Sequence, residues 1–214
     1  MGEVVGLAVG IAASPFPVIP AILLLFTARP RPTSLAFLGA WFGGIALVTG
    51  TFTLLADVLV TGTGSPTWLS WVRILAGGVL VIYGVRQWVS REASHGPPRW
   101  MRSIEEASPV TAARLALLLS VANPKVLLLA AAAGLDIGAA DEAAAGGVGV
   151  VLLFAAVASI SVAVPVVAYA VGGDRVLPPL ERAKGWLLRH NAAVMAVVVT
   201  VIGLVLLKNG VSGL

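Results

Sequence analysis

The sequence contains no cysteine. That excludes disulfides, thiolate metal sites and thiol redox chemistry. Charge is scarce too. Only 11% of the 214 residues are Asp, Glu, Lys or Arg, against about 25% in a soluble globular domain. The two histidines are His95 and His190, and both fall in polar connecting stretches. No acidic residue lies deep within any long apolar run. Nothing here forms a nucleophile–base pair or a metal-ligand cluster, so an enzyme is not expected, nor a metal or other cofactor.

What is abundant is apolar. Hydrophobic residues make up 58% of the chain, and the mean hydropathy is +0.99. One buried core of this size cannot absorb that much apolar surface, so lipid must solvate much of it. In a soluble domain the formal charge of +4 would point to nucleic acid. In a membrane chain it reads as basic loops on the cytoplasmic side, with no nucleic-acid partner. The start Met1-Gly2-Glu3 lacks a positive segment, so the first apolar run reads as a retained helix rather than a cleaved signal peptide.

Six apolar runs follow one another, at about 4–27, 33–56, 67–88, 110–135, 143–171 and 192–207. Each is long enough, or nearly so, for a span of about 20 residues. Lys and Arg are distributed unevenly between the connections. Arg29 and Arg31 follow run 1. Arg86, Arg91, Arg99, Arg102 and Arg114 surround the connection after run 3. Arg175, Arg182, Lys184 and Arg189 follow run 5. The other two loops carry Asp57, Asp136, Asp141 and Glu142 and no base. The asymmetry predicts a multi-pass membrane protein with both termini outside and the three basic loops cytoplasmic. In the last basic loop, Leu180, Ala183 and Leu187 recur at helical spacing beside Trp186. This predicts a short amphipathic helix on the inner surface, either a connector or a contact for anionic lipid.

Two runs are interrupted by the same pattern. Ala13-Ser14-Pro15-Phe16-Pro17 interrupts run 1, and Ala122-Asn123-Pro124-Lys125 interrupts run 4. An odd number of spans separates them, so the two halves would have opposite orientation. The expected fold is an all-α membrane protein of six transmembrane helices, built as two inverted-topology three-helix repeats, with helices 1 and 4 broken at proline. The chain then forms a single transmembrane domain: repeat 1 over about 1–90, a cytoplasmic loop over about 91–109 and repeat 2 over about 110–214. Proline removes the helical bond to the carbonyl four residues back. Pro15 and Pro17 would free Ile11 and Ala13, and Pro124 would free Ser120. In hydrocarbon such carbonyls need protein, water or a ligand. Matched breaks in inverted halves point to a transport site at the midplane. The simpler reading is a kink repaired by Ser14 or Asn123.

Arg73 and Lys125 are the two charged residues that lie clearly within the runs, away from the basic residues near their ends. Lys125 lies about 11 residues, or roughly 16 Å, from the outer end of its helix. Its partners there would be carbonyls, water or an anion. Arg73, nearer the outer interface, would pair with Asp57 or touch the substrate. Ser14, Pro15, Pro17, Asn123, Pro124, Lys125 and Arg73 are therefore the candidate substrate-binding residues, and the cations suit a carboxylate, phosphate or sulfate. Glycines Gly39, Gly43, Gly44, Gly77 and Gly78 would let helices approach closely, within the chain or across a homodimer.

With these residues in place, the sequence resembles the lysine-exporter superfamily. Within it, it is most similar to the actinobacterial GAP/Sap group of glycolipid- and sulfolipid-addressing proteins. Ser14-Pro15-Phe16-Pro17, Asn123-Pro124-Lys125 and the six-run layout with a long central loop carry the resemblance. It implies a protein of the plasma (inner) membrane that exports or flips an anionic cell-envelope lipid, glycolipid or precursor, with an anionic or amphiphilic substrate and membrane lipids as partners. It also admits an amino-acid exporter, or a non-transporting accessory subunit of lipid-export machinery. Thiol-transferring relatives need paired cysteines, and this sequence has none.

Overall fold

The computed structural model describes residues 2–59, 67–89, 104, 107–140 and 144–212. The loop at 60–66, most of the basic loop at 91–109, and Asp141 and Glu142 lie outside the described residues.

Among the described residues the chain is helical throughout, without strands. Helix α1 covers Gly2–Ala12 and α2 covers Pro15–Leu23, ending in a 3-10 turn at Leu24–Phe26. Helix α3 is Pro30–Leu59 and α4 is Thr67–Val89. Helix α5 (Pro109–Val121) and α6 (Pro124–Gly138) are followed by α7 (Ala144–Gly172). A 3-10 turn at Gly173–Val176 leads into α8 (Leu177–Ser212). Several helices open on proline, including α2, α3, α5 and α6. There the ring's fixed φ suits a helix and the missing N–H has no helical partner to lose. Gly173 has φ +58°, a conformation glycine adopts without a Cβ clash, and it turns the chain between α7 and α8.

The helical stretches Pro30–Ala56 and Gly147–Leu187 are long and apolar enough to cross a membrane. Two bent pairs each pass the same test together: α1 with the α2 segment, bent by 47°, and α5 with α6, bent by 64°. The two breaks expected from the proline motifs are therefore present. The outer surface agrees with a lipid solvent, since large apolar side chains face outward on every long helix. Leu54 is 76% exposed and Val171 85%, and a helix apolar on all sides is stable only in lipid or deep in a core.

Helix α3 is central. It packs on α5, α6 and α7, and its Phe37, Trp41 and Ile45 are fully buried. Helix α7 also packs on α1 and α2, while α4 pairs along its length with α8. That last pairing depends on small residues. A Cβ built on Gly77 would lie 2.7 Å from the Gly203 carbonyl oxygen, and one on Gly203 would lie 2.8 Å from that of Gly77. With no hydrophobic drive between helices in lipid, such close backbone approach is what holds a pair together. Gly44 likewise lies against Ser120. Gly39, Gly43 and Gly78 do not: a Cβ on any of them meets nothing within 4 Å. Only some of the glycines expected at helix contacts are therefore at one within the chain.

The amphipathic stretch around Leu180, Ala183 and Leu187 is not a separate surface helix. It forms the first turns of the continuous 36-residue α8. No proline interrupts the chain between His190 and the apolar part, so the helix runs on. At 1.5 Å per residue it reaches roughly 54 Å, well beyond a hydrocarbon core of about 30 Å. Lys184 sits 4.9 Å over the Phe26 ring, tying this part of α8 to the end of the first helical pair.

The α4–α8 contact yields a stability prediction. Gly77→Ala and Gly203→Ala should each destabilise the fold by about 1–3 kcal/mol, the usual cost of overpacking. Gly39→Ala should leave stability unchanged or slightly raised, because it adds helix propensity in open space. Thermal unfolding in detergent, followed by the monodisperse size-exclusion peak, separates the two classes.

Candidate functional site

Both breaks are assembled from the same local pieces. Ser14 (φ −76°, ψ 121°) and Asn123 (φ −77°, ψ 114°) are extended N-cap residues. Pro15 and Pro124 follow in the first helical turn. Each proline thus starts a new helix instead of bending an old one. At the second break the Asn123 side-chain oxygen accepts the Lys125 N–H at 3.0 Å, which satisfies one orphan donor of α6. At the first break the Ile11 carbonyl, expected to be left open by Pro15, accepts the Ser14 N–H at 3.0 Å. That carbonyl is satisfied within the break itself.

A cavity of about 490 Å³ lies at the second break, between it, α4 and α8. Small-molecule sites typically measure about 300–1,000 Å³. Asn123, Pro124 and Lys125 line it, flanked by Leu118, Leu119, Ala122 and Leu128 from the same helical pair. Val79, Leu80 and Tyr83 of α4 and Val199 of α8 form the facing wall. Phe16 reaches it from the first break. The lining is almost wholly apolar, with Lys125 as its one charged side chain among the described residues.

Lys125 is 7% exposed, and its Nζ has no hydrogen-bond partner among the described residues. Membrane-insertion scales put the cost of a lysine near the bilayer centre at about 2.5–3.5 kcal/mol. A charge held there without a protein partner lowers stability, and a bound anion is the natural complement.

Of the residues singled out in the sequence, Asn123, Pro124 and Lys125 come together at this cavity. Ser14, Pro15 and Pro17 are buried and do not line it. The side chains of Arg73 and Asp57 lie outside the described residues. Phe16 was not among the candidates, although the signal was available. Aligning Ser14-Pro15-Phe16 with Asn123-Pro124-Lys125 puts Phe16 at the position of Lys125. Among the described residues, Thr33 Oγ1, Trp41 Nε1, Thr49 Oγ1, Ser159 Oγ and Ser161 Oγ are also buried without hydrogen-bond partners. They lie on α3 and α7, and in sequence they are polar residues within apolar runs.

A family model described as Sap, sulfolipid-1-addressing protein, matches residues 4–212, nearly the whole chain. Neither a curated protein nor a solved structure matches it.

The unpartnered ammonium makes a prediction about stability rather than activity. Lys125→Met keeps the side chain's length and removes the buried charge, so it should raise stability by about 1–3 kcal/mol. Asn123→Ala removes a cap and should lower it by about 1 kcal/mol. Melting temperatures of the purified variants in one detergent check both signs.

Proposed function

The chain belongs to the family of Sap, the sulfolipid-1-addressing protein, and on that basis we propose that it is a membrane transporter that exports or flips an anionic cell-envelope lipid, glycolipid or precursor. The observation that carries this reading is the buried Lys125 ammonium, unpartnered among the described residues, at the edge of an apolar cavity. Such a site complements an amphiphile with an anionic head and an apolar body. Lys125 binds the anionic group, and Asn123 orients the first turn of α6 beside it. No catalytic step and no cofactor is assigned.

The proposed architecture is six spans in two inverted repeats within the plasma membrane, with basic loops cytoplasmic and both termini outside. The length of α4 and α8 supports counting them as spans beside the four passing candidates, since 23 and 36 residues exceed the roughly 20 needed. The packing order also supports it. Exchanging α1/α2 with α5/α6, α3 with α7 and α4 with α8 maps the α3–α5/α6 packing onto that of α7 with α1/α2. The α3–α7 and α4–α8 packings map onto themselves.

The amino-acid exporter reading fits less well. A free amino acid also carries an ammonium group, and no carboxylate lines the cavity among the described residues to receive it. An accessory subunit without transport activity would not need an unpaired cation at a cavity.

The test is native mass spectrometry of the purified protein and of Lys125→Ala. The wild type should retain a specific anionic lipid. The variant should retain about tenfold less, the loss expected of one charge-assisted contact, while inserting into the membrane normally and failing to export. Identical bulk lipid in both, with export intact in the variant, would sink the reading.

A further inference from the structure

The cavity is open at the protein's side, and the opening has a definite place. Val79, Tyr83 and Leu118 line the cavity and yet are 62%, 53% and 60% exposed. They belong to the two edges of one seam, α4 on one side and α5 with the second break on the other. In the other half of the chain, the corresponding seam is closed. There α2 packs against α8, whereas among the described residues α6, the counterpart of α2, has no comparable packing on α4 and the cavity lies between them. One seam at the breaks is thus shut and the other is an apolar slot leading from the surface to a buried cation.

We propose that this slot is an acyl-chain subsite: the tail of an anionic lipid lies between Val79 and Tyr83 of α4 and Leu118 of α5 while its head group sits on Lys125. The proposal rests on the transporter reading above and adds where the tail goes. Three observations support this occupant. Among the described residues, the walls of the slot carry no charge apart from Lys125. The ammonium, unpartnered among the described residues, supplies charge complementarity at the inner end. The outer end is bounded by large apolar side chains exposed on the protein's outer surface. A water-soluble anion would need a polar approach to Lys125, and this route offers none. A lipid needs only to slide its head inward.

The energetics define how the subsite behaves. A tail moving from bilayer to slot exchanges one apolar environment for another, so the hydrophobic effect gives it little net drive. Tail occupancy must therefore follow head-group binding. The slot provides continuity rather than affinity: the chain stays in an apolar phase while the head is carried to the break.

The experiment uses phosphatidylglycerol with a photoactivatable diazirine at the end of one acyl chain, reconstituted with the full-length protein in liposomes. Crosslinked residues are identified by peptide mass spectrometry in the wild type, Lys125→Gln and Leu118→Trp. The expected result is labelling at Val79, Tyr83 and Leu118 in the wild type. It should fall by about tenfold in Lys125→Gln, in step with loss of the head-group contact. Leu118→Trp fills the slot and should abolish labelling at Val79 and Tyr83. Absent labelling there, or equal labelling in wild type and Lys125→Gln, would overturn the subsite, the latter because it marks ordinary surrounding lipid. Retained lipid, counted in parallel by native mass spectrometry, keeps the two ideas apart. If Lys125→Gln loses bound lipid but the slot is never labelled, the tail subsite fails and the anionic site stands. If neither retention nor export depends on Lys125, the transporter reading itself fails.

Discussion

A helix broken inside a membrane exposes backbone groups that hydrocarbon cannot satisfy, and that constraint governs how this chain is arranged. The breaks before Pro15 and Pro124 are repaired locally. Asn123 caps the Lys125 N–H at 3.0 Å, and Ser14 closes back on the Ile11 carbonyl at 3.0 Å. What remains must face protein or ligand. The central position of α3, packed on α5, α6 and α7, follows from this need, because it covers the second broken pair along its length. Helix α7 does the same for α1 and α2.

Once both breaks are enclosed, the placement of Lys125 follows. It is the second residue of α6, directly after the proline, so the bend that ends α5 turns its side chain away from the outer surface. Among the described residues its ammonium is buried and unpartnered, in a cavity walled almost wholly by apolar side chains. Stability alone would not select such a residue, since an apolar side chain of equal length fits better there. The cost is understandable if the site exists to hold an anion that the protein does not itself supply. Membership of the sulfolipid-1-addressing family is consistent with a lipid-related role for that anion.

The helix contacts show a second division of labour. Gly77 and Gly203 let α4 and α8 touch through their backbones. This firm pair borders the cavity through Val79, Leu80, Tyr83 and Val199. The cavity therefore has one stiff wall and one wall made of a broken helix. Gly39 and Gly43 have the same spacing as a packing motif, but a Cβ on either would meet nothing within 4 Å among the described residues. Periodicity identifies small residues on one face of a helix, and it carries no information about whether another helix lies opposite.

The sequence alone determined that the chain belongs in lipid, that two helices break at Ser14-Pro15 and Asn123-Pro124, and that Lys125 lies at the second break. These are local matters: hydropathy follows from composition, and proline's missing N–H acts within one turn. It did not determine that the stretch beginning at Leu177 continues into one helix through Ser212, because a polar-to-apolar change in composition need not end a helix. Nor did it determine that Phe16, rather than Ser14, Pro15 or Pro17, would reach the cavity. Which side chain at a break points inward depends on the angle between the half-helices, 47° at one break and 64° at the other. That angle is set by what packs around them. The tertiary structure alone decided that the seam beside α4 stands open while the one between α2 and α8 is closed, since this depends on how whole helices fit together rather than on any residue's own preference.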